Sequence, residues 1–396
     1  MDPGVVSRVE IERIFETMST HDHSGATEIS LFLCGDVMTG RGVDQILPCP
    51  SDPSLHEPYG ESALEYVAMA ERINGPVRKP VSFSYIWGDA LEELHRAVPS
   101  ARIINLETSI TTSQDFEPKG INYRMHPANT PCLSAARVDC CVLANNHVLD
   151  WGKSGLADTI CTLQKVRIKT AGAGTNVKEA MAPAIINVGQ SRLVVFSAGT
   201  GDSGIEPHWA ATESTPGVFL LPDLSEETVT QISEQVANVK IPGDIAVFSI
   251  HWGGNWGYEI PARQRAFAHS LIEHAGIDVV HGHSSHHPKG IEVYKDKPIL
   301  FGCGDFLNDY EGILGREEFR GNLVLAYSLT MDRNAGTLLH LEMAPFEIRR
   351  FQLRRASTDD ASWLRDLMNR EGSPLRTRVA LDARNHLVLN WQRGQG

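Results

Sequence analysis

What constrains this chain most is a repeated alternation. From Glu28 to Phe301, short runs of uninterrupted apolar residues are separated by segments with helical spacing. The runs are Ile29–Cys34, Ala101–Ile104, Val138–Ala144, Leu193–Ala198, Ile245–Ile250, Asp278–Val280 and Pro298–Phe301. Helical patterns lie among them at Ile86–Ala97, Lys153–Val166, Ser225–Val239 and Ala262–His274. Strands alternating with helices are built from β-α-β units, so the sequence predicts an α/β fold. Near-continuous apolar runs predict strands covered on both faces. Sheet packed on sheet, with helices outside, meets that requirement. At 42% hydrophobic and 21% charged over 396 residues, the chain holds enough apolar material for such a core.

The two ends differ from this pattern. Val9, Ile11, Ile14 and Phe15 predict an amphipathic helix over Val5–Met18, followed by a polar linker, Ser19–Thr27, that includes His21, Asp22 and His23. Met18 offers a second start for translation. Toward the C-terminus, Asn322–Thr330, Leu338–Pro345 and Phe346–Leu353 read as consecutive antiparallel strands. A helix follows at about Asp359–Arg370, with cap candidates in Ser357–Asp360, then a strand at Leu387–Asn390. We therefore divide the chain into a leader (1–27), a main domain (28–330) and a tail (331–396) that packs on the main domain.

Charge and cysteine content narrow the partners. Lys plus Arg is 36 against 49 Asp plus Glu, a net charge of −13, which disfavours nucleic acid and anionic membranes. No apolar run reaches the roughly 18–20 residues that span a bilayer, and no secretory signal is visible. Seven cysteines, odd in number and without a C-x-x-C pair, point to reduced thiols and a cytoplasmic protein. The oligomeric state is not legible.

The strand ends carry the chemistry. The runs lead into Asp36, Asn105 and Glu107, Asn145 to His147, His251, His281 to His287, and Asp305. Ligands of open α/β sheets bind beyond the carboxyl ends of the strands, so these scattered groups can meet in one crevice. Carboxylates, an amide oxygen and imidazoles suit Mn²⁺, Zn²⁺ or Fe, as one ion or as two. Ala171–Gly174 is a Gly-rich turn without dinucleotide spacing. Neither a G-x-S-x-G elbow nor a Walker loop occurs.

Seven segments, in order, carry a family likeness: Gly35–Arg41 (GDVMTGR), Asn105–Glu107 (NLE), Ala144–Gly152 (ANNHVLDWG), Ala171–Gly174 (AGAG), His251–Gly253 (HWG), Gly282–His286 (GHSSH) and Gly304–Phe306 (GDF). Together they resemble the CapA family, called capsule or poly-γ-glutamate synthesis proteins, over about Leu31 to Asp309. The family is similar to calcineurin-like metallophosphatases, which implies a sandwich of two mixed β-sheets flanked by helices. The resemblance puts Asp36 at the first metal position and Glu107 at the bridging one. Asn146, His251 and His283 fall on the second metal, His286 turns to the first, and His147 stands by as acid or orienter. Two departures leave one ion or two open: Met38 stands where phosphatases carry a histidine, and the last motif is one residue longer.

Other residues are candidates for the pocket. Arg41 and Arg124 can pair with a substrate carboxylate, or equally with a structural acid. Trp252 and Trp256 can wall a peptide-like substrate, with Glu259 as an acid or base; plain packing is the alternative. Asp305, Asn308 and Asp309 can orient imidazoles, and Asp150 can brace the loop after His147. The resemblance implies a metal-dependent enzyme acting on a peptide or polyglutamate-like substrate, with His147 and Asp36 in the reaction. Hydrolysis, epimerisation at an α-carbon and a non-catalytic accessory role in capsule synthesis all stay open.

Overall fold

The structure, a computed structural model, describes residues 28–392; the Val5–Met18 helix and the His21 to His23 run lie outside the described residues. Strand β1 (Glu28–Val37) opens a first sheet, followed in parallel by β2 (Ala101–Leu106), β3 (Cys140–Val142) and β4 (Lys169–Ala171). A second sheet begins with the hairpin β5 (Ala184–Val188) and β6 (Ser191–Gly199). It continues in parallel through β7 (Ile245–His251) and β8 (Val279–His283), and closes with the hairpin β9 (Ile291–Tyr294) and β10 (Lys297–Leu300). The chain then returns to the first sheet through β11 (Asp305–Leu307), parallel to the end of β1, and β12 (Leu323–Asp332), antiparallel to it. Strands β13 (Leu338–Ile348), β14 (Leu353–Arg355), β15 (Thr377–Leu381) and β16 (Leu387–Trp391) extend that edge. The first sheet has ten strands, ordered β15-β16-β13-β12-β1-β2-β3-β4 along its main path; the second has six, ordered β5-β6-β7-β8-β10-β9.

Side-chain alternation along each strand builds three apolar layers. Leu31 and Leu33 of β1 meet Val195, Val247 and Val279 of the second sheet in the layer between the sheets. Phe32 and Cys34 point the other way, toward helices α1 (Leu64–Asn74), α2 (Ala90–Ala97) and α3 (Gly152–Lys165). Phe196, Phe248 and Ile250 turn outward from the second sheet onto α4 (Glu226–Ala237) and α5 (Ala262–His274). Helix α6 (Thr358–Gly372) sends Leu364, Leu367 and Met368 into the layer between the sheets. Two mixed sheets face to face with helices outside are the layout expected, and the double burial explains the continuous apolar runs.

Two expectations are corrected. Ile86 belongs to a 3-10 turn ended by Gly88 at φ 43°, so α2 starts only at Ala90. Phe346–Leu353 is not a separate strand: β13 runs through Pro345 to Ile348, and the chain turns back at Arg349–Gln352 into β14. Helix α1 and strands β4, β5, β9, β11 and β15 escaped notice; in α1 and β15 few residues are buried, Tyr66, Val67 and Ala70 in the one and Thr377 and Val379 in the other. The cap of α6 is as expected, with Ser357 Oγ accepting from Asp360 N at 3.1 Å. Among the described residues, no helix is long and apolar enough to cross a membrane.

Candidate metal centre

Strand register assembles the centre. Asp36 at the end of β1 stands between Asn105 of β2 and Asp305 of β11. In the second sheet, the β7–β8 register sets His251 beside His283. The end of β1 and the segment before β11 approach closely, Asp36 N donating to Gly304 O at 3.0 Å. Only glycine permits this at position 35, where a Cβ would lie 1.7 Å from Gly304 O.

Two groups of donors result, each with its ligand atoms within 4.8 Å of one another: Asp36, His251 and His283, and Asp36, His286 and Asp305. Asp36 is common to both. Its Oδ1 accepts from Asn105 Nδ2 at 2.7 Å, and Oδ2 from Ser284 N at 3.3 Å. His286 Nδ1 lies 2.8 Å from Asp305 Oδ1, while Asn308 Nδ2 holds the other Asp305 oxygen at 2.7 Å. Burial, then the charge of Asp305, pushes the Asp36 carboxyl up to about 7, against hydrogen bonds from Glu107 and Asn105. Burial and the charges of Asp36 and Asp305 push Glu107 well above the carboxylate range. Burial holds His251 and His283 well below theirs, so both are neutral. Crowded carboxylates beside neutral imidazoles are what a divalent cation stabilises.

Hydrogen-bond bookkeeping assigns the tautomers. His281, pushed down to about 4 by burial, is neutral. Its Nε2 faces Cys34 O at 2.9 Å, an oxygen that can only accept, so Nε2 carries the proton. Nδ1 then accepts from Ser249 Oγ at 3.0 Å, and Ser249 Oγ accepts from His283 Nε2–H at 2.9 Å. The lone pair of His283 is thereby left on Nδ1, 3.7 Å from Asp36 Oδ1. His251 Nε2 meets the amide oxygen of Asn146 at 3.0 Å, which puts its lone pair on Nδ1 as well. The two Nδ1 atoms converge at 2.8 Å, a contact that repels unless a cation shares it. The donor set therefore fits a divalent metal.

Comparison with known proteins gives the family. The family model described as "Bacterial capsule synthesis protein PGA_cap" matches residues 30–310. The chain belongs to the PGA_cap family. A probable polyglutamine synthesis accessory protein of Mycobacterium tuberculosis is 46% identical over 364 residues, 91% of this chain and 96% of that protein. The PGA biosynthesis protein CapA of Bacillus subtilis is 28% identical, over 71% of this chain and 63% of its own. Among solved structures, a Mycoplasma pneumoniae phosphatase described as novel superposes with a TM-score of 0.42 at 11% identity, covering 81% of this chain and 94% of that one.

In this PGA_cap chain the remaining candidates separate. Glu107 lies against Asp36 and 3.7 Å from His147 Nε2; the carboxylate shared by the two groups is Asp36, whereas the resemblance gives the bridging position to Glu107. His147 Nδ1 is 2.6 Å from Asp150 Oδ2, and its ring stacks on Tyr123 at 3.9 Å. Burial pushes His147 down to about 4 despite Asp150. Arg41 is buried and spent on Asp309 (2.6 Å) and Glu57 (3.0 Å), the structural alternative. Arg124 donates to Ser113 O and Asp52 O and stacks on Trp151, tying loops together. Trp252 is buried with Nε1 on Phe301 O, whereas Trp256 does stand beside His286, ring centroids 5.2 Å apart. Glu259 is exposed and engages Lys289, through its carbonyl and its charge, so the structure does not bring it to the cluster.

Sequence reasoning gave Asp305 only a supporting place, placed His281 at a strand end without a role, and missed Ser249 and Lys119. A signal existed for Ser249 and for His281. Ser249 and His251, like His281 and His283, are two residues apart and so share a face of their strand. Lys119 had none: it comes from a loop to pair with Asp150 Oδ1 at 2.8 Å and to reach Asn146 O. A third acidic group, Glu342, Asp382 and His386, already holds a cation, since Arg384 reaches Glu342 at 2.7 Å and Asp382 at 2.9 Å.

Proposed function

We propose that the chain is a divalent-metal-dependent hydrolase that cleaves a peptide or γ-glutamyl amide bond in the synthesis of a polyglutamate-type polymer. The observation that carries this reading is the sharing of Asp36 by two three-donor groups. Asp36, His251 and His283, with Asn146 beside them, would hold one ion, and Asp36, His286 and Asp305 a second; Mn²⁺, Zn²⁺ and Fe suit the donors. Bound there, such ions supply a Lewis acid for the carbonyl oxygen and favour ionisation of water near neutral pH. The polymer enters through the names of relatives, a polyglutamine synthesis accessory protein and CapA. Seven unpaired cysteines favour a reducing compartment, the cytoplasm.

The proton work falls to His147. Its Nδ1–H points at Asp150, which leaves the Nε2 lone pair turned toward Glu107 at 3.7 Å. A neutral imidazole so oriented takes a proton from the attacking water and returns it to the leaving amine, and Asp150 stabilises the charge in between. Glu107, whose carboxyl is pushed up by burial and by the charges of Asp36 and Asp305, lies beside both Asp36 and His147. Trp256 walls the approach to His286.

Metal-stripped protein should lose activity on γ-glutamyl peptides and regain it with Mn²⁺ or Zn²⁺, and Asp36→Ala should bind neither ion. Incubation in D₂O separates the chemistries: cleavage without deuterium at the α-carbon is expected, and deuterium gained without cleavage would make the protein an epimerase. Metal-free protein that binds polyglutamate without turnover, with Asp36→Ala unchanged, would leave the accessory role.

A further inference from the structure

A cleft of about 850 Å³ meets the candidate metal centre at His286, which lines it together with Tyr123 and Tyr310. Its outer walls are unexpectedly apolar. Tyr59, Ile73, Ile121, Ile313 and Leu314 all line it, five of the nine large hydrophobic side chains exposed among the described residues. Scattered surface hydrophobics need no explanation, but a concentration at the mouth of one cleft marks a binding surface.

Its charge is as informative. Three arginines and four glutamates line the cleft, so it carries no cationic excess for a polyanion. Two of those arginines are already neutralised, Arg41 by Asp309 and Glu57, and Arg320 by Asp360 at 2.5 Å. Arg316 alone of the three has no carboxylate partner among the described residues; its guanidinium lies 5.6 Å from the centre of the Trp256 ring, next to His286.

We infer that the substrate is an amide with a single carboxylate near the reacting bond, held by Arg316, and an aliphatic or aromatic group beyond it, rather than an uninterrupted polyglutamate. This rests on the proposed hydrolase and names its substrate class. The Ile313 and Leu314 side chains and Ile73 and Ile121 remove the apolar group from water. A second γ-linked glutamate in their place would lose the hydration of its carboxylate with no arginine to replace it.

The test is binding to the full-length, metal-loaded chain by calorimetry, with products followed by mass spectrometry. The probes are γ-glutamyl-isoamylamide, which has one carboxylate and an aliphatic tail, and γ-glutamyl-glutamate. The first should bind about tenfold more tightly or better, the scale of one aliphatic group entering an apolar pocket. Leu314→Glu, at a side chain 80% exposed, should fold normally and erase that preference. Arg316→Gln should weaken the isoamylamide about tenfold. Equal or tighter binding of γ-glutamyl-glutamate, or no binding of either probe, overturns the inference. So does a Leu314→Glu variant that keeps the preference while turning an oligomer into a monomer, which would make the patch a self-association face. Selective binding without turnover leaves this inference standing and removes the hydrolase; turnover without selectivity does the reverse.

Discussion

Ser249 bears on the proposed metal site without contributing a donor to it. It passes tautomer information from the Cys34 carbonyl, through His281, to His283. Ser249→Ala frees His283 to put its proton on Nδ1, the atom that faces Asp36. Affinity for Mn²⁺ or Zn²⁺ should fall about 10- to 100-fold, the range for losing a group that orients a metal-binding imidazole. Calorimetric titration of the variant checks this, and unchanged affinity would remove Ser249 from the centre. The donors were legible as residues because Asp, Asn and His stand abruptly at the ends of apolar runs. Arg41 misled, because a guanidinium beside a turn reads the same whether its carboxylate comes from a substrate or from Asp309, 268 residues away.

Close backbone approach sets the second scale. β1 and β11 can lie side by side only because position 35 has no side chain, so Gly35→Ala must part the strands that carry Asp36 and Asp305. We expect a loss of about 3 kcal/mol or more in denaturant unfolding, together with loss of metal binding. At the other end of the first sheet, the turn between β15 and β16 places His386 3.6 Å from Glu93 of α2 and 3.7 Å from Glu342 of β13. Burial opposes its charge, but Glu342 and Glu93 prevail and raise it to about 9. That folded value exceeds the unfolded one of about 6.5. Its contribution is therefore complete below about pH 6.5 and is lost as pH rises through about 9. The Tm gap between wild type and His386→Gln should be widest near pH 6 and narrow by about pH 9.5; a gap independent of pH would show that His386 acts by packing alone.

At the scale of the molecule, the centre joins the two sheets. Asp36 and Asp305 belong to the first, His251 and His283 to the second. An ion shared among them, as proposed, would bind the folded chain and not the unfolded one. At a thousandfold excess over Kd that amounts to about 4 kcal/mol. Chelation should then lower Tm by roughly 5 °C, reversibly on adding Mn²⁺ or Zn²⁺; an unmoved Tm would mean that no such ion joins the sheets. The α/β class, many of the strands and the gathering of polar groups at strand ends were legible in the sequence, because burial on both faces and strand termination are local properties of the chain. Which carboxylate the two donor groups share, which arginine stays free and how apolar the cleft is were decided only by tertiary structure. Those depend on register within each sheet and on the packing of one sheet against the other, which bring together Asp36, His251 and Asp305 from far apart in the chain at distances that local patterns do not encode.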